Sequence, residues 1–248
     1  MVLGMRIAIV GYGKMGHAIE EMAKAAGHTI VATVNEGWSE LPPCDVAIEF
    51  TQPEVAFDNI SRLLTMGIPV VSGTTGWLDR WAEMLEIVQQ HKGRLFYSSN
   101  YSMGIYLFSL LAKQVGKIMN QVEQDYDVRL SETHHIHKLD YPSGTALSLA
   151  AELMQEMAYK KNYVTHLAER SAPLPQVAKE SLLITSIREG EVPGIHTIEC
   201  ESQEDIITLS HISKNRRGLA HGAVRAAEFL HTKGAGVYGM PDMMNIVL

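Results

Sequence analysis

Short runs of aliphatic residues alternate with longer amphipathic stretches through the first hundred positions of the chain. Residues 5–10 (MRIAIV) read as a strand and run without a gap into Gly11-Tyr12-Gly13-Lys14-Met15-Gly16. A helical stretch then reaches Ala26, with Met15, Ile19, Met22 and Ala23 on one side. Further strands are predicted over 29–34, 45–50, 68–72 and 95–98. Helices are predicted over 53–66 and 78–91, with Pro53 suited to a first turn. This alternation implies an α/β fold with a mostly parallel, doubly wound sheet, in which ligands sit at the carboxyl ends of strands. Two loops there, Gly73-Thr74-Thr75-Gly76 and Ser98-Ser99-Asn100-Tyr101, are candidates to lie over the reactive part of a cofactor.

The pattern changes at Met103, where a long apolar helical run extends to Met119. Residues 125–133 alternate as a strand, with Tyr126, Val128 and Leu130 opposed to Asp127, Arg129 and Ser131. A helix opens at Pro142-Ser143-Gly144-Thr145, capped by Ser143 or Thr145, and carries Leu147, Ala150, Leu153, Met154 and Met157 at helical spacing. The polar stretch 160–179, with Pro173 and Pro175, reads as a loop or excursion. Strands follow over 181–188, 196–201 and 206–213, with no helices between them. They predict an open, largely antiparallel sheet whose uncovered face is a natural oligomer surface. Residues 222–231 read as a terminal helix returning to the first domain. The expected organisation is a Rossmann-type dinucleotide domain of residues 1–102 and 216–248, plus an α+β domain of residues 103–215 with an open mixed sheet; the family resemblance described below implies that this second domain binds substrate and forms the tetramer.

Gly11–Gly16 is a G-x-G-x-x-G motif in the strand–turn–helix context that gives the pattern its meaning. The first glycine makes the turn, the second lets the backbone approach a pyrophosphate, and the third lets helix pack on strand. The second strand ends at Asn35-Glu36, where the ribose of a dinucleotide is read. A second concentration of chemistry lies at Glu132-Thr133-His134-His135-Ile136-His137-Lys138-Leu139-Asp140-Tyr141-Pro142-Ser143-Gly144-Thr145. Three of the chain's eleven histidines fall within four residues here, beside a lysine and between two carboxylates. The N-terminus of the following helix supplies free backbone N–H groups, so proton donors stand beside an anion site. Glu132, His134 and His137 are conceivable zinc ligands, but Lys138 is a repelling cation among them and no metalloprotease-type spacing is present. No metal site is expected.

Composition narrows the partners. The chain has 248 residues, 46% of them hydrophobic, and a mean hydropathy of -0.02, which fits a soluble globular protein with ample core. No apolar run approaches the ~20 residues of a membrane span. A net charge of -7 argues against nucleic acid and anionic membranes as partners. The opening residues show no signal-peptide layout, and the two cysteines, Cys44 and Cys200, suggest a reducing, cytoplasmic setting.

Glu132-x-His134-His135-x-x-Lys138-x-Asp140-x-Pro142-Ser143-Gly144-Thr145-Ala146 is a long and specific pattern. With the glycine motif, Gly73–Gly76, Asn100-Tyr101-Ser102-Met103-Gly104, Arg188-x-Gly190-x-x-x-Gly194-x-His196 and Gly222-Ala223, it resembles the dihydrodipicolinate reductase family over almost the whole chain. The resemblance implies reduction of a cyclic unsaturated dicarboxylate to tetrahydrodipicolinate in lysine and diaminopimelate synthesis, by a homotetramer using NADH and/or NADPH. It implies that His134 and Lys138 donate the proton and that His135, Ser143, Gly144 and Thr145 hold the substrate's carboxylates. Gly11, Tyr12, Gly13, Lys14, Met15, Gly16, Asn35, Gly73, Thr74, Thr75, Ser98, Ser99, Asn100 and Tyr101 would line the cofactor. The chain departs from the family pattern at Asn35, where an acidic residue is usual, and at Tyr141, where alanine is commoner. With Glu36 next to Asn35 and no Lys or Arg before Asp45, NADH is expected to serve at least as well as NADPH. Two rivals are another Rossmann dehydrogenase acting on a small dicarboxylate, which should show a nucleophilic cysteine or a different acid–base set, and a non-catalytic dinucleotide sensor, which should lack the proton donors.

Overall fold

The computed structural model describes residues 4–168, 173–215 and 217–247. Its chain divides into two compact units, Met1–Met103 with Arg217–Leu248, and Gly104–Arg216. In chain order the first unit opens with β1 (Arg6–Val10), α1 (Lys14–Ala25), β2 (Thr29–Val34), β3 (Val46–Glu49), α2 (Pro53–Thr65) and β4 (Val70–Ser72). A short 3₁₀ turn at Leu78–Arg80 leads into α3 (Trp81–Gln90), and β5 (Arg94–Tyr97) follows. Next come α4 (Met103–Gln121), β6 (Asp127–His134), α5 (Gly144–Glu156), β7 (Asn162–Ala168), β8 (Ser181–Arg188), β9 (Ile195–Glu201) and β10 (Ile206–Ile212). The chain ends with α6 (Arg217–His231), β11 (Gly236–Tyr238) and α7 (Met240–Met244), which belong to the first unit.

The first unit holds a six-stranded, all-parallel sheet in the order β11-β5-β4-β3-β1-β2. Ile7, Ala8, Ile9 and Val10 of β1 and Val46, Ala47 and Ile48 of β3 are wholly buried, because central parallel strands are covered on both faces. The chain leaves β1 toward β2 on one side and β3 on the other, so the strand order reverses between β1 and β3. A crevice opens at such a point beyond the carboxyl ends of the strands.

The second unit holds a five-stranded sheet in the order β10-β9-β6-β8-β7. Val128 and Leu130 of β6 face inward with Leu182 and Ile184 of β8 and Ile198 and Cys200 of β9, against Phe108 and Ala112 of α4 and Leu149 and Leu153 of α5. In the next row of the same face the core turns polar. Glu132 stands opposite Ser186 on β8 and His196 on β9, and all three are buried.

Three expectations are corrected. The stretch read as a loop from 160 contains β7, which pairs in parallel with β8. As an edge strand it has one partner and is mostly exposed, so it carries no apolar period for sequence reading to find; residues 169–172 of the same stretch lie outside the described residues. The sheet is mixed, as expected for the domain as a whole, although the run of strands from 181 alone suggests a largely antiparallel one: β8 runs parallel to both β6 and β7, while β9 runs antiparallel to β6 and β10. The last long helix begins at Arg217, five residues before the predicted Gly222, and β11 and α7 extend the first unit beyond it.

Candidate active site

In the first unit, a cleft of about 380 Å³ lies at the carboxyl ends of β1, β3 and β4, lined by Gly13–Met15, Phe50–Pro53 and Gly73–Thr75. Gly13 is the N-cap of α1, which has no side-chain cap and no acidic residue in its first turn. The backbone N–H groups of that turn, with Lys14 beside them, therefore favour an anion. A Cβ placed on Gly13 would meet no protein atom within 4 Å, so internal packing does not demand glycine there. The position opens on unfilled space, and the donor set fits a dinucleotide pyrophosphate.

Of the residues predicted for the cofactor, the cleft brings together Gly13, Lys14, Met15, Gly73, Thr74 and Thr75. Gly11 and Gly16 are buried beneath the turn. Asn35 accepts the Tyr12 N–H at 2.7 Å through Oδ1 and so ties the glycine turn to the end of β2. The Ser98–Tyr101 loop folds on its own side chains, with Ser98 Oγ donating to Asn100 O at 2.7 Å, and it does not line this cleft. Tyr101 is buried, its hydroxyl donating to Ser72 O at 2.7 Å, so its side chain belongs to the core.

In the second unit, His134 is the last residue of β6. Its backbone carbonyl accepts from Glu189 N at 2.8 Å, and Ile136 N donates to Gly190 O at 3.1 Å, which pins the histidine segment to the turn after β8. Lys138 N donates back to His135 O at 3.1 Å, closing a turn that brings the lysine round. His134 Nδ1 donates to Glu132 Oε2, an assignment that leaves Nε2 as the ring's working nitrogen. An ideal Cβ on Gly194 would lie only 3.0 Å from that Nε2, so glycine leaves the nitrogen uncrowded.

Glu132 is the hub. Arg188 holds it with two contacts, Nη2 to Oε1 at 3.0 Å and Nη1 to Oε2 at 3.2 Å, and Ser143 N donates to Oε1 at 3.3 Å. Burial alone would raise its pKa, but the hydrogen bonds from His134 and Arg188 outweigh that and bring it down to about 2. Arg188 also reaches the carbonyls of Lys138, at 3.3 Å, and Asp140, at 2.8 Å, so one guanidinium braces the strand and the loop together. Lys138 Nζ contacts both Asp140 oxygens at 2.8 Å, and this bond chiefly lowers the Asp140 pKa.

Ser143 caps α5 by accepting Ala146 N at 3.2 Å, and its hydroxyl also meets His196 Nε2 at 3.3 Å. That hydroxyl, expected to hold a substrate carboxylate, is buried and makes both of these contacts within the protein. His196 is pushed down to about 4, first by burial and then by His134, whose ring lies 5.3 Å away. His137 is exposed and pairs with Glu191 at 3.0 Å, so it does not share a site with Glu132 and His134. Half-buried His135 lies near it, the two rings tilted with centroids 6.0 Å apart.

Sequence reasoning missed the roles of Glu132, Arg188 and His196. The signal was present in phase: Glu132 continues the inward set Val128 and Leu130, and His196 continues Ile198 and Cys200, so polar groups stand at core positions. Neither cysteine suits nucleophilic work. Burial raises the Cys44 thiol, and burial pushes Cys200 up to about 11.

Comparison with known proteins agrees with these features. The family described as dihydrodipicolinate reductase, C-terminus matches residues 104–244, and that described as dihydrodipicolinate reductase, N-terminus matches residues 35–101. The chain is 39% identical to the 4-hydroxy-tetrahydrodipicolinate reductase of Christiangramia forsetii over 97% of this chain and 98% of that protein. It is 29% identical to that of Staphylococcus haemolyticus over 96% of this chain and 100% of the relative. The fold matches the dipicolinate-bound dihydrodipicolinate reductase of Paenisporosarcina sp. TG-14 with a TM-score of 0.72 at 20% identity, covering 99% of this chain and 100% of that one. The chain belongs to the dihydrodipicolinate reductase family.

Proposed function

We propose that this chain is an NAD(P)H-dependent 4-hydroxy-tetrahydrodipicolinate reductase, reducing its cyclic dicarboxylate substrate to tetrahydrodipicolinate in lysine and diaminopimelate synthesis. The observation that carries the reading is His134, held at Nδ1 by a buried carboxylate beside the N-terminus of α5. Loss of the 4-hydroxyl as water, together with a ring hydrogen, leaves a conjugated ring; its reduction adds hydride at one atom and leaves electron density on its neighbour, which an acid must quench. Bound at Gly13–Met15 and Gly73–Thr75, the reduced nicotinamide cofactor supplies the hydride.

The second unit's residues do the rest. Because Glu132 accepts the Nδ1 proton, the proton that His134 gives up is the one on Nε2. Lys138 adds positive charge beside the developing negative charge, and Arg188 keeps its loop in place through the Lys138 and Asp140 carbonyls. His135 and the N–H groups of Gly144 and Thr145 hold the substrate's carboxylates.

The chain works as a homotetramer in the cytoplasm. Exposed apolar side chains on β10 (Ile206, Ile207, Ile212) and β7 (Tyr163, Val164, Leu167) support assembly through this sheet. Among the described residues no helix is long and apolar enough to cross a membrane, and both cysteines are free thiols. Light scattering at micromolar concentration should report four chains; a stable monomer would refute the assembly.

Single replacements test the chemistry. His134→Gln and Lys138→Met should each lower kcat by about 10²–10⁴-fold, the usual contribution of general acid catalysis, with cofactor affinity almost unchanged. Activity in both variants within about threefold of the parent would overturn the assignment.

A further inference from the structure

Glu49 ends β3 with no solvent exposure, in a strand whose other residues are Val46, Ala47 and Ile48. A carboxyl group in such a place is costly unless every lone pair is used, and an aliphatic residue would fill the space more cheaply. Its contacts are specific. Oε1 accepts from Thr51 N at 3.0 Å, from Thr51 Oγ1 and from Thr74 Oγ1 at 2.8 Å. Oε2 accepts from Ser72 Oγ at 2.6 Å. The Thr74 hydroxyl in turn accepts from Thr51 N at 2.8 Å, so the two loops are cross-linked both through the carboxyl and directly.

Thr51 belongs to the β3–α2 loop and Thr74 to the loop after β4, and both line the cleft. These hydrogen-bond partners are hydroxyls and one backbone amide, with no cation among them. The carboxyl therefore does not answer a buried charge; what it joins is the two walls of the cleft.

We infer that Glu49 is a positioning residue for the cofactor: its carboxyl group holds the Thr51 and Thr74 loops at the spacing the dinucleotide requires, without touching the reacting atoms. The inference rests on the reading of this cleft as the cofactor site. Trp77 Nε1 donates to Thr74 O at 2.8 Å and secures the outer part of the same loop, so loss of Glu49 should free Thr51 more than Thr74.

Calorimetric titration of NADH and of NADPH into the full chain, without dicarboxylate, tests it. Wild-type protein should bind at least one of the two. Glu49→Ala should weaken that binding by about tenfold or more, as expected for the loss of several hydrogen bonds. Glu49→Gln, which keeps an acceptor at Oε1, should stay within about threefold. Ser72→Ala, outside the cleft lining, should weaken binding by about two- to fivefold through the carboxyl alone. Glu49→Ala binding within about twofold of wild type, even with a lowered melting temperature, would make the residue merely structural and overturn the proposal. If Glu49→Ala does not fold, Ser72→Ala decides, and unchanged affinity there overturns it equally. Wild-type protein that binds neither cofactor would instead overturn the cofactor reading of the cleft, and this proposal with it.

Discussion

Glu132 in the second unit and Glu49 in the first are both buried carboxylic residues on strands, and each joins two segments of backbone. Glu132 meets a guanidinium and an imidazole and is brought down to about 2. Glu49 meets hydroxyls and one amide; burial outweighs them and carries its pKa above the usual range. The same side chain thus keeps its charge in one place and is pressed toward neutrality in the other. The difference follows the chemistry of the two regions. Beside His134 a fixed negative charge orients a proton donor. Beside a cleft suited to a dinucleotide's phosphates no cation holds the carboxyl, and a set of hydroxyl and amide donors ties the loops to it instead.

The largest expected effect separates the two carboxyls by what each changes. Glu132→Gln removes the charge behind His134 and should lower kcat by about 10²–10⁴-fold, up to the loss seen when the carboxylate orienting a catalytic histidine is replaced, while cofactor affinity stays within about twofold. A loss confined to cofactor affinity would erase the distinction from Glu49. Stability offers a second separation. Arg188→Leu strands the Glu132 charge in a buried site and should cost about 3–5 kcal/mol in denaturant unfolding. A cost below about 1 kcal/mol would mean that the pair is not buried in solution.

Titration sharpens the contrast further. His196 has a folded pKa of about 4 against an ordinary 6.5, so the unfolded chain binds the extra proton first as pH falls. Its contribution is complete above pH 6.5 and is lost as pH falls through about 4. That of Glu132 is complete above about 4.5 and is lost toward about 2. Melting temperature should therefore fall between pH 7 and pH 5 in the wild type, and His196→Gln should flatten that decline while leaving the steeper loss below about pH 4.5. An unchanged slope would show that His196 does not titrate in this window. The smallest expected contrast is cofactor choice. NADH should show kcat/KM at least equal to NADPH in one low-salt buffer, because Asn35 and Glu36 bring no positive charge to a 2′-phosphate. A preference for NADPH of about tenfold or more would point to Lys14 reaching that phosphate.

Much of this was legible in the sequence, and for identifiable reasons. β2 and β8 fall on the predicted residues because each is bounded by strong turn signals, and Ser143 caps α5 as its position before an apolar period suggested. β7 was not legible, since a solvent-facing edge strand is paired through its backbone rather than its side chains. His134 and Lys138 stood out by spacing. The Glu132–Arg188 pair did not, because it depends on the parallel register that sets Glu132 against Ser186 and His134 against Arg188, and strand register across more than fifty residues is not written in either segment alone. Glu49 was hidden for a similar reason: its partner Ser72 arrives on the neighbouring strand and Thr74 in the loop that follows it.

The most direct measurement is stoichiometric. Purified protein, freshly generated 4-hydroxy-tetrahydrodipicolinate and a limiting amount of NADH or NADPH should consume about one cofactor per tetrahydrodipicolinate formed, with the cofactor oxidised. The His134→Gln Lys138→Met double variant should bind the cofactor as the parent does and form product at least about 10²-fold more slowly. Cofactor oxidation by the parent no faster than by that double variant would contradict both the activity and the site assigned to it.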